Sequence, residues 1–241
     1  MTPLFAAALA TAVAAWLWKH VKDGASAVSA ALWWPSIWSF RRRDRRRPWP
    51  DDCVLLYGSS TFRLWTTAGE DLAPRPVVNR GFGGARTCDL LGFADRVVGR
   101  PVRRGDRPRV VMLYVANDIT GSPWDVTPQR AAEMFDELLG KLRTWMPHTP
   151  IVWIAVNPTP RRWHVWNQIS RLNREFARVC GRHRDVHAVD LSPPPLPDGR
   201  PDPALFRKDR LHLNAAGYEY FAADVRRTLE RIVPSSAAEA A

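Results

Sequence analysis

The sequence predicts an α/β fold, a three-layer α/β/α sandwich with a five-stranded parallel sheet, preceded by an N-terminal hydrophobic helical segment. Three observations predict it. Five short apolar runs recur between residues 53 and 190 without polar alternation, as strands covered on both faces do. Stretches of helical period lie between them, which makes the connections βαβ units. The first fifth of the chain differs in composition from the rest.

Residues 1–50 hold eight basic and two acidic residues, so they carry +6 of a net charge of +11. They also hold six of the twelve tryptophans: Trp16, Trp18, Trp33, Trp34, Trp38 and Trp49. Residues 3–18 are uncharged, a length at or just below the roughly 17-residue minimum of a spanning helix. A second apolar stretch, Ala25 to Phe40, is broken by Pro35. Tryptophan favours the membrane interface, and the expectation is a membrane anchor or hairpin. The alternatives are a cleaved signal peptide, disfavoured by the absent basic n-region, and a helix buried on the domain or a mobile tail.

The run Arg41–Arg47, interrupted by Asp44, reads as a grip on anionic lipid headgroups. Nucleic-acid binding and a solvated linker compete with that reading. Positive-inside logic holds the domain on the cytoplasmic face, whereas a signal peptide would export it. The expectation is a membrane-associated protein in three parts. Residues 1–50 are anchor and basic linker, 51–235 the domain and 236–241 a tail. A composition of 46% hydrophobic and 24% charged residues is that of a globular chain, and three cysteines exclude a disulfide scaffold.

Within the domain, Cys53–Tyr57, Pro76–Asn79, Arg109–Val115 and Ile151–Val156 are the clear strands, and Val186–Asp190 is a weaker fifth. Thr127-Pro128 has the form of an N-cap with proline at the first helical position. Met134, Leu138, Leu139, Leu142 and Trp145 then repeat at helical spacing. Val165 to Val179 is a second helix, ending at Gly181. Asn214 to Val233 is a third, with Tyr218, Phe221, Val225, Leu229 and Ile232 on one stripe. Ser192–Pro203 is proline-rich and reads as an ordered surface loop.

Ligands of such sheets bind beyond the carboxyl ends of the strands. After the first strand comes Tyr57-Gly58-Ser59-Ser60-Thr61. A serine at this turn presents its hydroxyl at the mouth of the sheet, or simply caps a helix. Phe62 stands where the G-x-S-x-G elbow has its second glycine. After the second strand, Gly81, Gly83 and Gly84 form a loop whose backbone N–H groups suit an oxyanion, a phosphate or an ordinary turn. After the third comes Asn117-Asp118, an oxyanion donor or an Asx turn. Before the last helix, Asp209 and His212 are three residues apart, close enough for a carboxylate to orient an imidazole as general base.

Taken together and in this order, these motifs resemble those of the SGNH hydrolases, the GDSL-like lipase and esterase family. The resemblance covers residues 53 to about 233 and implies the flavodoxin-like SGNH hydrolase fold. It implies Ser60 as nucleophile, with Ser59 in place of the usual aspartate, and Asp209 and His212 as the other catalytic residues. The backbone N–H groups of Ser60 and Gly84 and the side chain of Asn117 would form the oxyanion hole. The third family block normally reads Gly-x-Asn-Asp, whereas this chain has Val115-Ala116-Asn117-Asp118. Asp118 is expected to fix the loop rather than react.

The implied activity is a serine esterase acting on carboxylic esters or thioesters, such as short-chain acyl, lipid or O-acetyl esters. No metal and no organic cofactor is needed, and no nucleic acid is expected. Arg162 and Trp163, after the fourth strand, are proposed to line the substrate site. Cys88 is expected to be a packed thiol, and His164 and His183 surface residues without a carboxylate partner. The rivals are an acyltransferase or lysophospholipase on the same fold, a non-catalytic basic module for membranes or nucleic acid, and a flavodoxin-like nucleotide binder.

Overall fold

The computed structural model describes residues 27–191 and 196–234, with side chains from residue 32 onward. The uncharged stretch 3–18 and the tail lie outside the described residues. Among those described, no helix is long and apolar enough to cross a membrane.

Five strands form one sheet: β1 Val54–Gly58, β2 Val77–Gly81, β3 Val110–Tyr114, β4 Ile151–Ile154 and β5 Val186–Val189. Their order is β2-β1-β3-β4-β5 and every pairing is parallel. Each expected strand is present to within one or two residues, and β2 runs on through Asn79 to Gly81. The apolar runs are strands because both faces are covered. Leu55 and Tyr57 enter one buried cluster, while Val54 and Leu56 enter the other.

The helices supply the two outer layers. On one face lie α1 Ala27–Arg46, α4 Thr87–Ala94, α6 Pro128–Trp145 and α7 Trp166–Cys180. The other carries the short α2 Ser60–Leu64 and α3 Ala68–Asp71, and α8 Ala215–Ile232. A π-helical turn, Asp95–Gly99, joins α4 to α5 Arg100–Arg103. Thr127 caps α6 by accepting from the Arg130 N–H at 3.2 Å, and Asn214 caps α8 by accepting from Gly217 N–H at 3.0 Å. His183, expected to lack a carboxylate partner, meets Asp136 at 2.6 Å and ties the end of α7 to α6.

The N-terminal segment departs from expectation. Helix α1 runs through Pro35 without a break, although a proline there removes a backbone hydrogen bond at a cost of about 3 kcal/mol. Burial offsets that cost. Ile37 and Phe40 are buried in the core. Asp44, inside the arginine run, points inward and forms a buried ion pair with Arg80 of β2. Trp49 closes over the pair, its indole N–H donating to Asp44 at 3.0 Å, and its backbone N–H donates to Asp106 at 2.9 Å. Within the described residues, the stretch from Ile37 to Trp49 thus packs against the domain that follows it.

Candidate active site

The strand register brings the predicted residues to one edge. Gly58 of β1 pairs with Gly81 of β2 on one side and Tyr114 of β3 on the other. Ser60, Gly84 and Asn117 each follow within three residues, so all three lie at the carboxyl edge of adjacent strands. Gly58 is required there: a Cβ would stand 2.2 Å from the Tyr114 carbonyl oxygen, which accepts the Ser59 N–H at 2.9 Å. The chain turns straight into α2, with Ser60 as its first residue. Ser59, where the family has aspartate, is fully buried, and among the described residues its hydroxyl meets no partner.

Two ties hold this turn. The Asn79 amide donates to the Phe62 carbonyl at 2.7 Å while its oxygen accepts the Gly81 N–H at 2.9 Å. The Tyr218 hydroxyl of α8 donates to the Thr61 carbonyl at 2.8 Å. Sequence reasoning passed over both roles. A polar residue inside an apolar strand is the only signal that pointed to Asn79.

The Asp209–His212 turn, which leads into α8, faces Ser60 within the same layer. Asp209 Oδ2 lies 2.7 Å from His212 Nδ1, and His212 Nε2 lies 3.0 Å from Ser60 Oγ. Burial pushes the Asp209 carboxyl up, but the backbone N–H and imidazole of His212 and the N–H of Leu211 outweigh it and hold its pKa down to about 2. An ionised Asp209 accepts, so Nδ1 carries the proton and Nε2 presents its lone pair to the Ser60 hydroxyl.

Gly84 has φ +76°, a conformation that favours glycine. Among the described residues its N–H meets no acceptor. A Cβ at this position would lie 3.1 Å from the ring of Trp33, so α1 reaches the edge of the site. Asn117 sits against the same loop, its amide N–H₂ donating to the Ala85 carbonyl at 2.9 Å. Asp118 is fully buried and accepts from the Thr87 N–H at 3.1 Å and the Thr87 hydroxyl at 2.9 Å. It therefore ties the β3 loop to the start of α4. Burial pushes its pKa up to about 6, against the hydrogen bonds of Thr87.

Arg162 is not where the sequence reading put it. It is buried, at 9% exposure, and its guanidinium donates to the Ala116 carbonyl and, at 2.7 Å, to Asn117 Oδ1. The cause is a turn of 3-10 helix, Pro160–Val165, capped by Thr159, which exposes Arg161 and buries Arg162. Arg162 thereby occupies the space behind Asn117 instead of the mouth. Trp163 is half-buried and stacks on Trp166 at 6.3 Å. The loop still borders the site, since the Arg161 N–H donates to the Arg210 carbonyl at 2.9 Å, next to Asp209.

Cys53, Cys88 and Cys180 are all buried, and burial pushes each thiol up to about 12. Cys88 is thus a packed thiol, as expected, and its protonated sulfur is a poor nucleophile.

Fold and candidate site together define a class: a three-layer α/β/α protein with its candidate site at the carboxyl edge of a parallel sheet. The chain belongs to the GDSL-like lipase/acylhydrolase family, whose model matches residues 49–220. A search of curated proteins finds no match. Among solved structures, the chain is similar to a Streptococcus pneumonia protein provisionally described as a platelet activating factor. That match has TM-score 0.69 and 19% identity, covering 92% of this chain and 99% of that one. A GDSL-like lipase from Bacteroides thetaiotaomicron matches with TM-score 0.65 and 14% identity over 82% of this chain and 98% of that one. A lipase/acylhydrolase from Enterococcus faecalis matches with TM-score 0.56 and 19% identity over 76% and 98%. At these identities the likeness is one of fold.

Proposed function

We propose that this hydrolase is a serine esterase, cleaving carboxylic esters or thioesters through Ser60, His212 and Asp209. The observation that carries the reading is the continuous chain from Asp209 through the imidazole to Ser60 Oγ, at 2.7 and 3.0 Å. The Ser60 proton passes to His212 Nε2 as Oγ bonds to the ester carbonyl carbon. The resulting oxyanion is held by the N–H groups of Ser60 and Gly84 and by the Asn117 amide. His212 then returns the proton to the departing alcohol or thiol, leaving an acyl-serine. Water, deprotonated by the same imidazole, releases the acid and frees Ser60.

The names of the structural relatives support acyl esters, lipid esters among them, as the substrate class. The membrane expectation is carried forward as part of this proposal: the enzyme works at a membrane surface. The test is labelling with a fluorophosphonate probe alongside hydrolysis of p-nitrophenyl acetate. Wild type is labelled at Ser60 and turns over. Equal labelling and turnover by Ser60→Ala would remove Ser60 from the reaction.

A further inference from the structure

Outside the site, a concentration of one chemistry lies along α1 and α5, which pack on the same face of the sheet. Positions 34, 38, 41 and 45 follow one another at helical spacing, so their side chains share one stripe. Trp34 and Trp38 on that stripe are 43% and 53% exposed, which is unusual for such large apolar rings. Arg41 and Arg45 continue it. Alongside, Arg96 comes from the π-helical turn, Arg100 and Arg103 from α5, and Arg104 from the residue that caps α5. These six arginines line one groove of about 310 Å³, and the single acid among its charged residues is Asp44, turned inward onto Arg80. Asp95 nearby is engaged by Arg100 and Arg103 at 3.3 and 2.6 Å.

Arg96 lies over the Trp34 ring at 5.6 Å and Arg42 over Trp38 at 5.5 Å, so the aromatic and cationic groups form one surface. The crowding is unfavourable for the free protein. Burial, then the neighbouring Arg100, Arg45 and Arg96, push the Arg41 pKa below its ordinary value.

We propose that this Trp–Arg face docks the enzyme peripherally on an anionic phospholipid bilayer, with the arginine groove taking lipid phosphates. The guanidinium fork matches phosphate oxygens two at a time, and tryptophan settles at the depth of the headgroups. A nucleic-acid duplex would satisfy the arginines but leave Trp34 and Trp38 in water, and a single strand that stacks its bases on them is the competitor the test includes. The face also connects to the site, because Trp33, beside Trp34 on the same helix, rests on Gly84. Docking is thus independent of the uncharged stretch 3–18 and deepens the proposed membrane location by naming the surface.

The test uses the full chain in co-sedimentation with vesicles of phosphatidylglycerol and phosphatidylcholine, or of phosphatidylcholine alone. Wild type partitions onto the anionic vesicles at least 100-fold better, and the preference shrinks as salt rises. Each arginine at such a surface contributes roughly fivefold. The quadruple variant Arg41→Gln, Arg45→Gln, Arg96→Gln, Arg104→Gln loses at least 100-fold of the anionic partition, and Trp34→Ala with Trp38→Ala weakens what persists at high salt. A thermal melt shared with wild type certifies folding whether or not the protein turns over an ester. Full binding by the quadruple variant, or equal binding to neutral vesicles, overturns the proposal. So does capture of single-stranded RNA in preference to anionic vesicles at the same salt.

Discussion

Arg162→Met separates two roles for one side chain. In wild type the guanidinium donates to the Ala116 carbonyl and to Asn117 Oδ1. Arginine has donors only, so Oδ1 must face it, and the Asn117 N–H₂ must face away. One of its N–H bonds is spent on the Ala85 carbonyl, and the other, which meets no acceptor among the described residues, is available to an oxyanion. Methionine keeps most of the buried volume and removes both donors and the charge. The amide is then held only through Ala85.

A hydrogen bond from a charged donor is worth about 1.5–3 kcal/mol. If that energy aligns the oxyanion donor, kcat falls roughly 10- to 150-fold. The ceiling is complete loss of one oxyanion donor, about 100–1000-fold, which Asn117→Ala should reach. KM stays nearly constant, since the oxyanion forms only after binding. Arg162→Lys, reaching one of the two acceptors, recovers part of kcat. Because both residues act on the same donor, the double variant is no slower than Asn117→Ala alone. The assay is steady-state hydrolysis of p-nitrophenyl acetate. A kcat within twofold of wild type for Arg162→Met, beside a 100-fold loss for Asn117→Ala, refutes the positioning role. A tenfold rise in KM at unchanged kcat would return Arg162 to substrate binding.

Two further predictions concern stability. Asp44→Ala leaves Arg80 buried without its counter-charge, and losing one partner of such a pair costs about 3–5 kcal/mol. The melting temperature should fall by roughly 6–20 °C, and calorimetry showing a shift below 2 °C would count against the pair as the fastening of α1. Asp118 titrates near 6 in the folded protein, above its value of about 3.9 in an unfolded chain. The folded state therefore holds that proton more firmly. The stability this gives is complete below pH 4 and lost as pH rises through 6. Asp118→Asn removes the loss, so urea melts should show the variant gaining about 2–3 kcal/mol on wild type between pH 4 and 7.5. A difference that does not change with pH would mean that Asp118 is ordinary.

Much of this was legible because burial on both faces leaves a plain mark. Leu55 and Leu56 point to opposite layers, both apolar, so β1 reads as an unbroken apolar run. Asp209 and His212 were legible for another reason: the turn brings residues three apart together, so sequence spacing and spatial distance coincide. Gly84 and Asn117 depend on register across β2, β1 and β3, which no spacing reveals, and resemblance supplied what geometry could not. The helix over 87–94 and its π-helical continuation went unread, because the helix opens on Arg86 with Asp89 in its first turn rather than on a serine or threonine followed by a clear stripe.

The arginines show why charge is read poorly from composition. Arg80, Arg162 and Arg96 are one residue type with three placements. Arg80 is buried because Asp44 arrives from 36 residues away; Arg162 is buried because Ala116 and Asn117 turn their oxygens toward it. Arg96 stays at the surface over Trp34 because no acid reaches it among the described residues. Partners distant in the chain decide each placement, so a local count sees three equal charges. The same logic divides the run Arg41–Arg47. Asp44 looks like an interruption in the sequence, yet it is the residue that points inward onto Arg80, while Arg41 and Arg45 line the groove with Arg96 and Arg104. Arg43, by contrast, lies over Phe40 on another side of the helix, so one inward carboxylate divides a run that composition counts as a single block.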